Sequence, residues 1–245
     1  VCIYCNRFVE NTDHCFANHD RIAELNLYDS KADRYFSGSP VPLAEELRTW
    51  ALGETEAISS VTYPRERPYY VELSPEKTLP YELETIEIDT CYNKIFTPEM
   101  VAGHWKMASQ SLNSVILSQS MAIKIFGNAE SAIGKHMTLM RRLNTSPEST
   151  PKTGGIVYTI QAVMKDIPLN NSLDFMQNID MLTVNDSEGL LQSPKRHNMT
   201  GANTYVLLSP QTTCTDLEKQ FSKRDYTYTL YGEAYTVTAS SMGAR

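Results

Sequence analysis

The most regular hydrophobic pattern of the chain predicts a strand followed at once by a helix. A short apolar run at 115–117 is typical of a buried strand. Ser118 stands where an N-cap belongs, because its hydroxyl can accept a hydrogen bond from a free N–H of the first turn. Apolar residues then recur at helical spacing as far as Phe126, which we expect to be buried, and Gly127 suits the left-handed residue that ends a helix. Farther along, apolar residues at every second position over 160–164 predict another strand.

Both ends of the chain carry the pattern strand–helix–strand. The predicted strands are 23–28, 58–63, 204–208, 226–231 and 235–239, and the predicted helices are 43–51 and 213–223. Two such units that pack as one layer of sheet and one layer of helix predict a ferredoxin-like α+β subdomain formed by both chain ends.

The middle of the chain, residues 69–203, is predicted to be an inserted, mostly β subdomain. Its predicted strands are 69–73, 83–89, 115–117, 136–140, 156–165 and 179–184, and the helix at 118–126 is the main exception. Residues 141–155 lack apolar side chains after Leu143, which predicts a mobile hairpin loop. A second polar connection is predicted at 187–203.

Composition narrows the functional classes. The 245 residues can bury a substantial core, and 41% hydrophobic with 21% charged residues is ordinary globular composition. The net charge of -7 argues against a nucleic-acid partner, because such a protein needs a basic surface to displace counterions. No apolar run approaches the roughly 20 residues of a membrane span.

Cysteine and histidine residues near the start of the chain raise the alternative of a zinc-binding module or enzyme. Cys2, Cys5, Cys15 and His19 have ligand types that can form a tetrahedral zinc site. Against this alternative, the residues between Cys2 and Cys5 are apolar, and His14 and Cys15 are neighbours that cannot easily face one metal. The interpretation that we favour has no metal ligands and treats these side chains as cysteines at a membrane edge and solvated histidines.

The other cysteines predict no special chemistry. Cys91 and Cys214 stand alone, and we expect both to be small buried hydrophobic side chains. Five cysteines at irregular spacing do not form a disulfide framework.

Neither a catalytic nor a cofactor-binding residue is predicted, so we do not expect an enzyme. The glycines at 133–135 and 153–155 lack the strand–G-x-x-x-x-G-K-[ST]–helix context of a phosphate-binding loop. A lone carboxylate such as Asp166 more often binds turn amides than acts in catalysis. Ser118 is explained as a helix cap, and no G-x-S-x-G elbow is present.

A cluster of tyrosines near the end of the chain has two interpretations that the sequence leaves open. Tyr226, Tyr228, Tyr231 and Tyr235 could form a protein-contact surface, because tyrosine offers a rigid amphipathic side chain. Alternation along edge strands explains the same spacing.

Two blocks of the sequence resemble the periplasmic core domain of MacB/FtsX-type ABC transporter permeases. The first block reads S-V-I-L-S-x-x-x-A-x-x-x-F-G-x-x-x-x-x-I-G-K, and the second reads Y-T-I-x-A-V-x-K-D-I-P-x-N-S-L-x-F with one extra Asn. The matching positions are Ser114, Val115, Leu117, Ser118, Ala122, Phe126, Gly127, Ile133, Gly134, Lys135, Tyr158, Thr159, Val163, Lys165, Asp166, Pro168, Ser172 and Phe175. Weaker matches near both ends extend the resemblance over nearly the whole chain. The sequence departs from the pattern at Cys15 and at the longer turn that contains Asn170 and Asn171.

The resemblance implies a fold with named parts. Residues 20–68 plus 204–245 would form the ferredoxin-like subdomain called porter, and residues 69–203 the inserted β-rich subdomain called sabre. The chain begins at Val1 without a signal-peptide pattern, so we expect an excised piece of a membrane protein. Residues 1–19 would then hold the end of a truncated transmembrane helix and a linker.

The resemblance also implies a function. We expect a non-enzymatic domain on the periplasmic face of the inner membrane that transmits ATP-driven motion of membrane helices, as in MacB-type efflux or export. ATP would bind a separate nucleotide-binding domain or subunit, a cognate ABC ATPase. Further partners would be a periplasmic adaptor, a lipoprotein or peptide substrate, a cell-wall enzyme, and a second permease in a homodimer or heterodimer. A ligand-sensing domain with a groove between the two subdomains is another alternative.

Overall fold

A computed structural model of the protein describes residues 12–36, 38–139, 155–173, 176–187, 189–193 and 200–242. Within these residues the fold is α+β and dominated by one mixed sheet. The strands are β1 (Ile22–Asp29), β2 (Arg34–Phe36), β3 (Ser39–Pro40), β4 (Thr55–Thr62), β5 (Arg65–Ser74), β6 (Lys77–Ile88), β7 (Met100–Gly103), β8 (Ser114–Ser118), β9 (His136–Leu139), β10 (Ile156–Met164), β11 (Met181–Val184), β12 (Thr200–Leu208), β13 (Thr227–Leu230) and β14 (Glu233–Ser241). The α-helices are α1 (Leu43–Arg48), α2 (Tyr92–Phe96), α3 (Trp105–Gln110), α4 (Gln119–Phe126) and α5 (Cys214–Lys223).

The elements from both ends of the chain form one half of the fold, which we call the chain-end half (β1–β4, α1, α5 and β12–β14). Its strands follow the order β4–β12–β1–β14–β13, and each neighbouring pair is antiparallel. The apolar faces of α1 and α5 pack on one side of this sheet, where Leu47, Leu217 and Phe221 join a core with residues of β1, β4, β12 and β14. The observed strands and helices of this half follow the two strand–helix–strand units that the sequence predicts.

The other half, which we call the barrel half, contains β5–β11 and α2–α4. Six of its strands close into a ring, because β5, β6, β11, β8, β10 and β9 each pair with the next and β9 pairs with β5. Closure leaves none of these six strands as a free sheet edge along its paired length. Tyr69, Leu83 and Tyr158 pack in the core of this half, together with the apolar face of α4.

The helix α4 forms as its local signals predict. The Ser118 hydroxyl accepts a hydrogen bond from the Met121 N–H at 3.3 Å, and Gly127 ends the helix with φ of 86°. Phe126 is only half-buried against the barrel core, which corrects the expectation that it is buried.

The helix α5, predicted at 213–223, begins at Cys214, and Thr213 is its N-cap. The Thr213 hydroxyl accepts a hydrogen bond from the Asp216 N–H, and the Asp216 carboxylate accepts one from the Thr213 N–H, both at 3.2 Å. Hydrogen bonds from Thr213, together with Lys219, lower the pKa of Asp216 to about 2. This reciprocal arrangement is a capping box.

The structure corrects several predicted boundaries. The helix predicted at 43–51 ends at Arg48, and Ala51 has a left-handed φ of 47° that cannot continue a helix. The strand β12 begins at Thr200, so the connection predicted at 187–203 is shorter than expected. Two short helices that the pattern did not predict, α2 and α3, lie in the barrel half. The loop predicted at 141–155 lies outside the described residues except for its last position.

No helix within the described ranges is long and apolar enough to span a membrane.

Candidate functional site

The two halves meet at a junction, and the apolar side of this junction is organised by α2. Phe96 is 1% exposed, and its ring centroid lies 5.3 Å from that of Phe16 and 5.2 Å from that of Tyr205. Tyr205 belongs to β12 in the chain-end half, whereas α2 belongs to the barrel half. One continuous buried cluster thus contains residues of β1, β4 and β12 together with residues of β6, β8, β10 and β11.

The local sequence explains why α2 forms and ends there. Tyr92, Ile95 and Phe96 follow at helical spacing, and all three are buried in the junction cluster. Thr97 adopts a left-handed φ of 44°, and Pro98 follows it, so the helix cannot continue. A helix of five residues is therefore stabilised by the apolar side chains that it buries between the two halves.

On the polar side of the junction, Asp89 holds the end of β6 against the chain-end half. Its carboxylate accepts hydrogen bonds from the Ser59 hydroxyl at 2.7 Å and the Ser60 N–H at 3.0 Å, both on β4. The carboxylate also accepts a hydrogen bond from the Cys91 N–H at 2.9 Å. A further hydrogen bond comes from Nη1 of Arg48, which is the last residue of α1, at 2.7 Å. Both carboxylate oxygens are thus fully used, and the ion pair is only partly exposed.

Glu87 lies two residues before Asp89, and its carboxylate binds a segment that connects the two halves. Its Oε2 accepts a hydrogen bond from the Leu190 N–H at 2.6 Å, and its Oε1 accepts one from the Leu191 N–H at 3.0 Å. Gly189 packs so closely that a Cβ there would stand 2.1 Å from Oε1, so a side chain at this position would displace the Glu87 carboxylate. The Leu190 side chain packs with Val41 and Ala202 of the chain-end half. Glu87 itself is 4% exposed.

A second buried carboxylate belongs to Asp186, whose side chain is 0% exposed. Its Oδ1 accepts a hydrogen bond from the Tyr158 hydroxyl at 2.6 Å, and its Oδ2 accepts one from Arg67 Nη1 at 3.2 Å. Burial, together with the hydrogen bond to Asp186, raises the pKa of the Tyr158 phenol, which stays protonated. Among the described residues, Asp186 is therefore paired with the Arg67 guanidinium.

Electrostatics distinguish Glu87 from its neighbours. Burial and the nearby Asp186 carboxylate raise the pKa of Glu87 from 4.5 to about 7, although the Leu190 and Leu191 N–H groups act in the opposite direction. Among the described residues, Glu87 forms no ion pair of its own. It lines a cavity of about 210 Å³ together with Glu45, Arg48, Ser60, Asp89 and Asn185.

Contacts on both sides of the junction hold the two halves together. The apolar cluster fixes one side, and Asp89 and Glu87 fix the other through hydrogen bonds that cross from β6 to β4, α1 and residues 189–193. The N–H of Glu87 also donates to Thr62 Oγ1 at 2.9 Å, which adds a further link to β4.

The predicted metal ligands are only partly described. Cys2 and Cys5 lie outside the described residues. Cys15 is exposed, and the rings of His14 and His19 lie 4.4 Å apart. Within the described ranges, no group of three or more His, Cys, Asp or Glu side chains is placed to hold a metal ion. The zinc alternative, which needs the two cysteines outside these ranges, stays a prediction.

Three other sequence interpretations can be compared with the structure. The Asp166 carboxylate accepts a hydrogen bond from the Ser120 N–H at 3.0 Å, so it binds an amide of the first turn of α4. Cys91 and Cys214 are half-buried, which corrects the expectation that both are buried.

The tyrosine cluster is largely packed inward. Tyr226 makes an edge contact with Trp50 at 4.4 Å and donates to Glu46 at 2.9 Å, and Tyr228 is 7% exposed. Tyr235 packs against Phe36 at 5.7 Å, and Tyr231 is 66% exposed. Strand alternation therefore explains most of the cluster, and one ring stays free to contact a partner.

The residues that matter most at the junction were not singled out by sequence reasoning. Glu87 and Asp89 stand in an otherwise strand-like run, where two carboxylates beside Ile86 and Ile88 are the only visible signal. That signal does not show whether the acids face solvent or the other half of the fold.

Comparisons with known proteins establish the fold. No protein-family profile matches the sequence, and no curated protein matches it either. Among solved structures, the chain is similar to a domain of a protein described as a permease from Porphyromonas gingivalis, with 20% identity, 93% of each chain covered and a TM-score of 0.67. It is also similar to the periplasmic region of MacB from Actinobacillus actinomycetemcomitans, with 13% identity, 96% of this chain and 94% of that chain covered, and a TM-score of 0.56. The resemblance predicted from the sequence is therefore confirmed at the level of the fold, which is that of periplasmic domains of MacB-type permeases.

Proposed function

We propose that this chain is the extracytoplasmic domain of an ABC transporter permease and transmits ATP-driven motion of membrane helices to a substrate or partner protein. The observation that carries the proposal is the fold, which matches the periplasmic region of MacB over 96% of the chain. ATP would bind a separate nucleotide-binding domain or subunit. The partners would be that ATPase, a second permease subunit, and a periplasmic adaptor, lipoprotein or peptide.

The arrangement of the two halves supports a mechanical role. The strand order β14–β1–β12–β4, antiparallel throughout, supports a ferredoxin-like unit built from both chain ends, which we propose to comprise residues 20–68 plus 204–245. Residues 69–203 would be the inserted β-rich subdomain. Met242 donates its N–H to the Ile22 carbonyl at 2.9 Å, so the first and last strands run to the same edge of the molecule. Membrane helices attached at that edge would move the whole body together.

A mechanical role makes a demand on the junction between the two halves. Motion applied at one edge reaches the far end of the barrel half only if the junction does not yield. The buried cluster around Phe96 and the hydrogen bonds of Asp89 are the contacts that would resist bending.

The experiment that tests the proposal uses the native, full-length gene product. It is expressed in its own cell envelope, spheroplasts are treated with an external protease, and the membrane fraction is purified by an affinity tag. We expect membrane fractionation, cleavage of this domain from the outer side, and co-purification of a protein with an ABC ATPase domain. A full-length product that fractionates away from membranes, without hydrophobic spans flanking this domain, would overturn the proposal.

A further inference from the structure

The strands β5 and β6 extend beyond the closed ring of the barrel half as a two-stranded ribbon. The strand β11 pairs with β6 only at residues 85–88. On the side of β6 that faces away from β5, no described strand pairs with residues 77–83. We propose that this free edge is a pairing surface for a second copy of the chain, and that Pro80 keeps it closed. The inference goes beyond the proposed function and does not depend on it, because it rests on the topology of this chain.

Two prolines show in which direction the backbone groups of β6 face. Pro80 pairs with Tyr70, and Pro68 pairs with Glu82. Because proline has no N–H, neither pair can be of the kind in which the two residues exchange both hydrogen bonds. The backbone groups that bind β5 therefore belong to the odd-numbered residues of β6. Those of Thr78, Pro80 and Glu82 face the free edge.

The next even-numbered residue of β6 shows the same direction. Glu84 donates its N–H to Asp180 Oδ2 at 2.8 Å, and its carbonyl accepts a hydrogen bond from the Asp180 N–H at 3.0 Å. Both backbone groups of Glu84 thus face away from β5. The edge is covered from Glu84 onward, whereas Thr78, Pro80 and Glu82 are exposed.

The side chains of this segment favour pairing, so the edge needs protection. Thr78 and Tyr81 are residue types that are enriched in strands, and Leu79 is 38% exposed. An exposed strand edge is a template for pairing with another chain. A second copy carries the same edge, and an antiparallel register centred on position 80 would place Thr78 of one copy opposite Glu82 of the other.

Pro80 opposes this pairing at its centre. In the antiparallel register, Pro80 of one copy would face Pro80 of the other, and neither could donate a hydrogen bond. Proline whose nitrogen faces solvent on an edge strand is a known way to prevent edge-to-edge association. The charges of Lys77 and Glu82 and a bulge between Glu72 and Ser74 act in the same direction.

Hydrogen exchange of the wild-type chain tests the direction of the backbone groups. The amides of Leu79 and Tyr81, which face β5, should be protected at least about tenfold more strongly than those of Thr78 and Glu82. Equal or reversed protection would overturn the proposal, because the free edge would then not be formed by the even-numbered residues.

Pro80→Val tests the role of the proline, since it restores an N–H to the centre of the edge. Sedimentation velocity over a concentration series should show that the variant associates at a concentration about tenfold or more below that of the wild type. In the associated form, the amides of Thr78 and Glu82 should become protected as concentration rises. Leu79→Val is the matched control, because it changes an exposed side chain but no N–H of the edge, and it should behave as the wild type.

A second proline identifies the edge as the contact. Thr78→Pro added to Pro80→Val returns a proline to an outward-facing position and should restore the behaviour of the wild type. A folded Pro80→Val that associates no more readily than the wild type would overturn the proposal, and so would association that leaves Thr78 and Glu82 unprotected. Pro80→Thr is a second variant of the same design, should Pro80→Val fail to fold.

Discussion

The two sides of the junction join the same halves by different physical means. On one side, α2 buries Phe96 against Phe16 of the chain start and Tyr205 of β12, in contacts that carry no charge. On the other side, Asp89, directly after β6, binds β4 of the chain-end half, and the carboxylate of Glu87 on β6 binds the connecting residues 189–193. Asp89 is fully compensated, whereas Glu87 is not. The comparison indicates that the apolar side sets how firmly the halves are joined, while one acid on the polar side makes part of that contact depend on conditions.

Removing the central ring of the apolar side is expected to have the largest effect. Phe96→Ala should lower the free energy of unfolding by about 3–5 kcal/mol, because it deletes a fully buried aromatic side chain and leaves a cavity. Urea unfolding followed by circular dichroism measures this change. The control Phe126→Ala removes a half-buried ring outside the junction and should cost clearly less, about 1–1.5 kcal/mol, half of the value for a fully buried ring. If both variants lost the same free energy of unfolding, α2 would not stabilise the fold more than other helices do.

The polar side is expected to give stability a particular dependence on pH. The pKa of Glu87 is raised from 4.5 to about 7 in the folded protein, so the folded state binds this proton more tightly than the unfolded chain does. The resulting stabilisation is fully present below pH 4.5 and is lost as pH rises to about 7, by up to about 3 kcal/mol.

Unfolding of the wild type and of Glu87→Gln across this range separates the contribution of Glu87 from that of other acids. The difference between the two proteins should change with pH in the stated direction. A constant difference from pH 5 to pH 8 would contradict the assignment.

Asp89 should respond to substitution but not through the same pH window. Asp89→Asn leaves one carbonyl oxygen where four donors converge and brings an NH₂ group toward them, so we expect a loss of about 2–3 kcal/mol. Asp20→Asn, at an exposed carboxylate, is the matched control and should lie within about 0.5 kcal/mol of the wild type. Thermal or urea unfolding at fixed pH decides between these outcomes, and a neutral Asp89→Asn would show that Arg48 does not need this partner.

The smallest expected effect lies away from the junction, at the cap of α4. Ser118→Ala removes the hydroxyl that accepts from the Met121 N–H and should cost about 1 kcal/mol. Ser118→Asp restores an acceptor and should recover most of the loss. Failure of Ser118→Ala to destabilise the domain at all would show that the cap is replaced by solvent.

The elements that the sequence predicts well are those with local signals. The helix α4 is specified by Ser118, by apolar spacing and by Gly127, all within ten neighbouring positions, and α5 by Thr213 and the spacing of Leu217 and Phe221. Each cap joins two residues that lie three positions apart, so both partners are visible in one short stretch of the sequence. The same holds for most strands, whose alternation is visible without knowledge of the partner strand.

The junction could not be predicted in this way, because its contacts join distant parts of the chain. Glu87 lies 103 positions from Leu190, and Arg67 lies 119 positions from Asp186. Whether such a carboxylate is solvated or buried is decided by the strand that packs beside it. The five-residue helix α2 was missed for a related reason, since its stability comes from burial between the halves and not from length or a cap.

The central claim is that the junction makes both halves one cooperative body, and native-state hydrogen exchange tests it most directly. The slowest-exchanging amides of β1, in the chain-end half, and of β10, in the barrel half, are followed in increasing concentrations of denaturant below the unfolding midpoint. We predict that both sets converge on the same opening free energy in the wild type and separate in Phe96→Ala. Wild-type amides of β1 and β10 that open with free energies differing by more than about 2 kcal/mol would contradict the account, because the halves would then unfold independently.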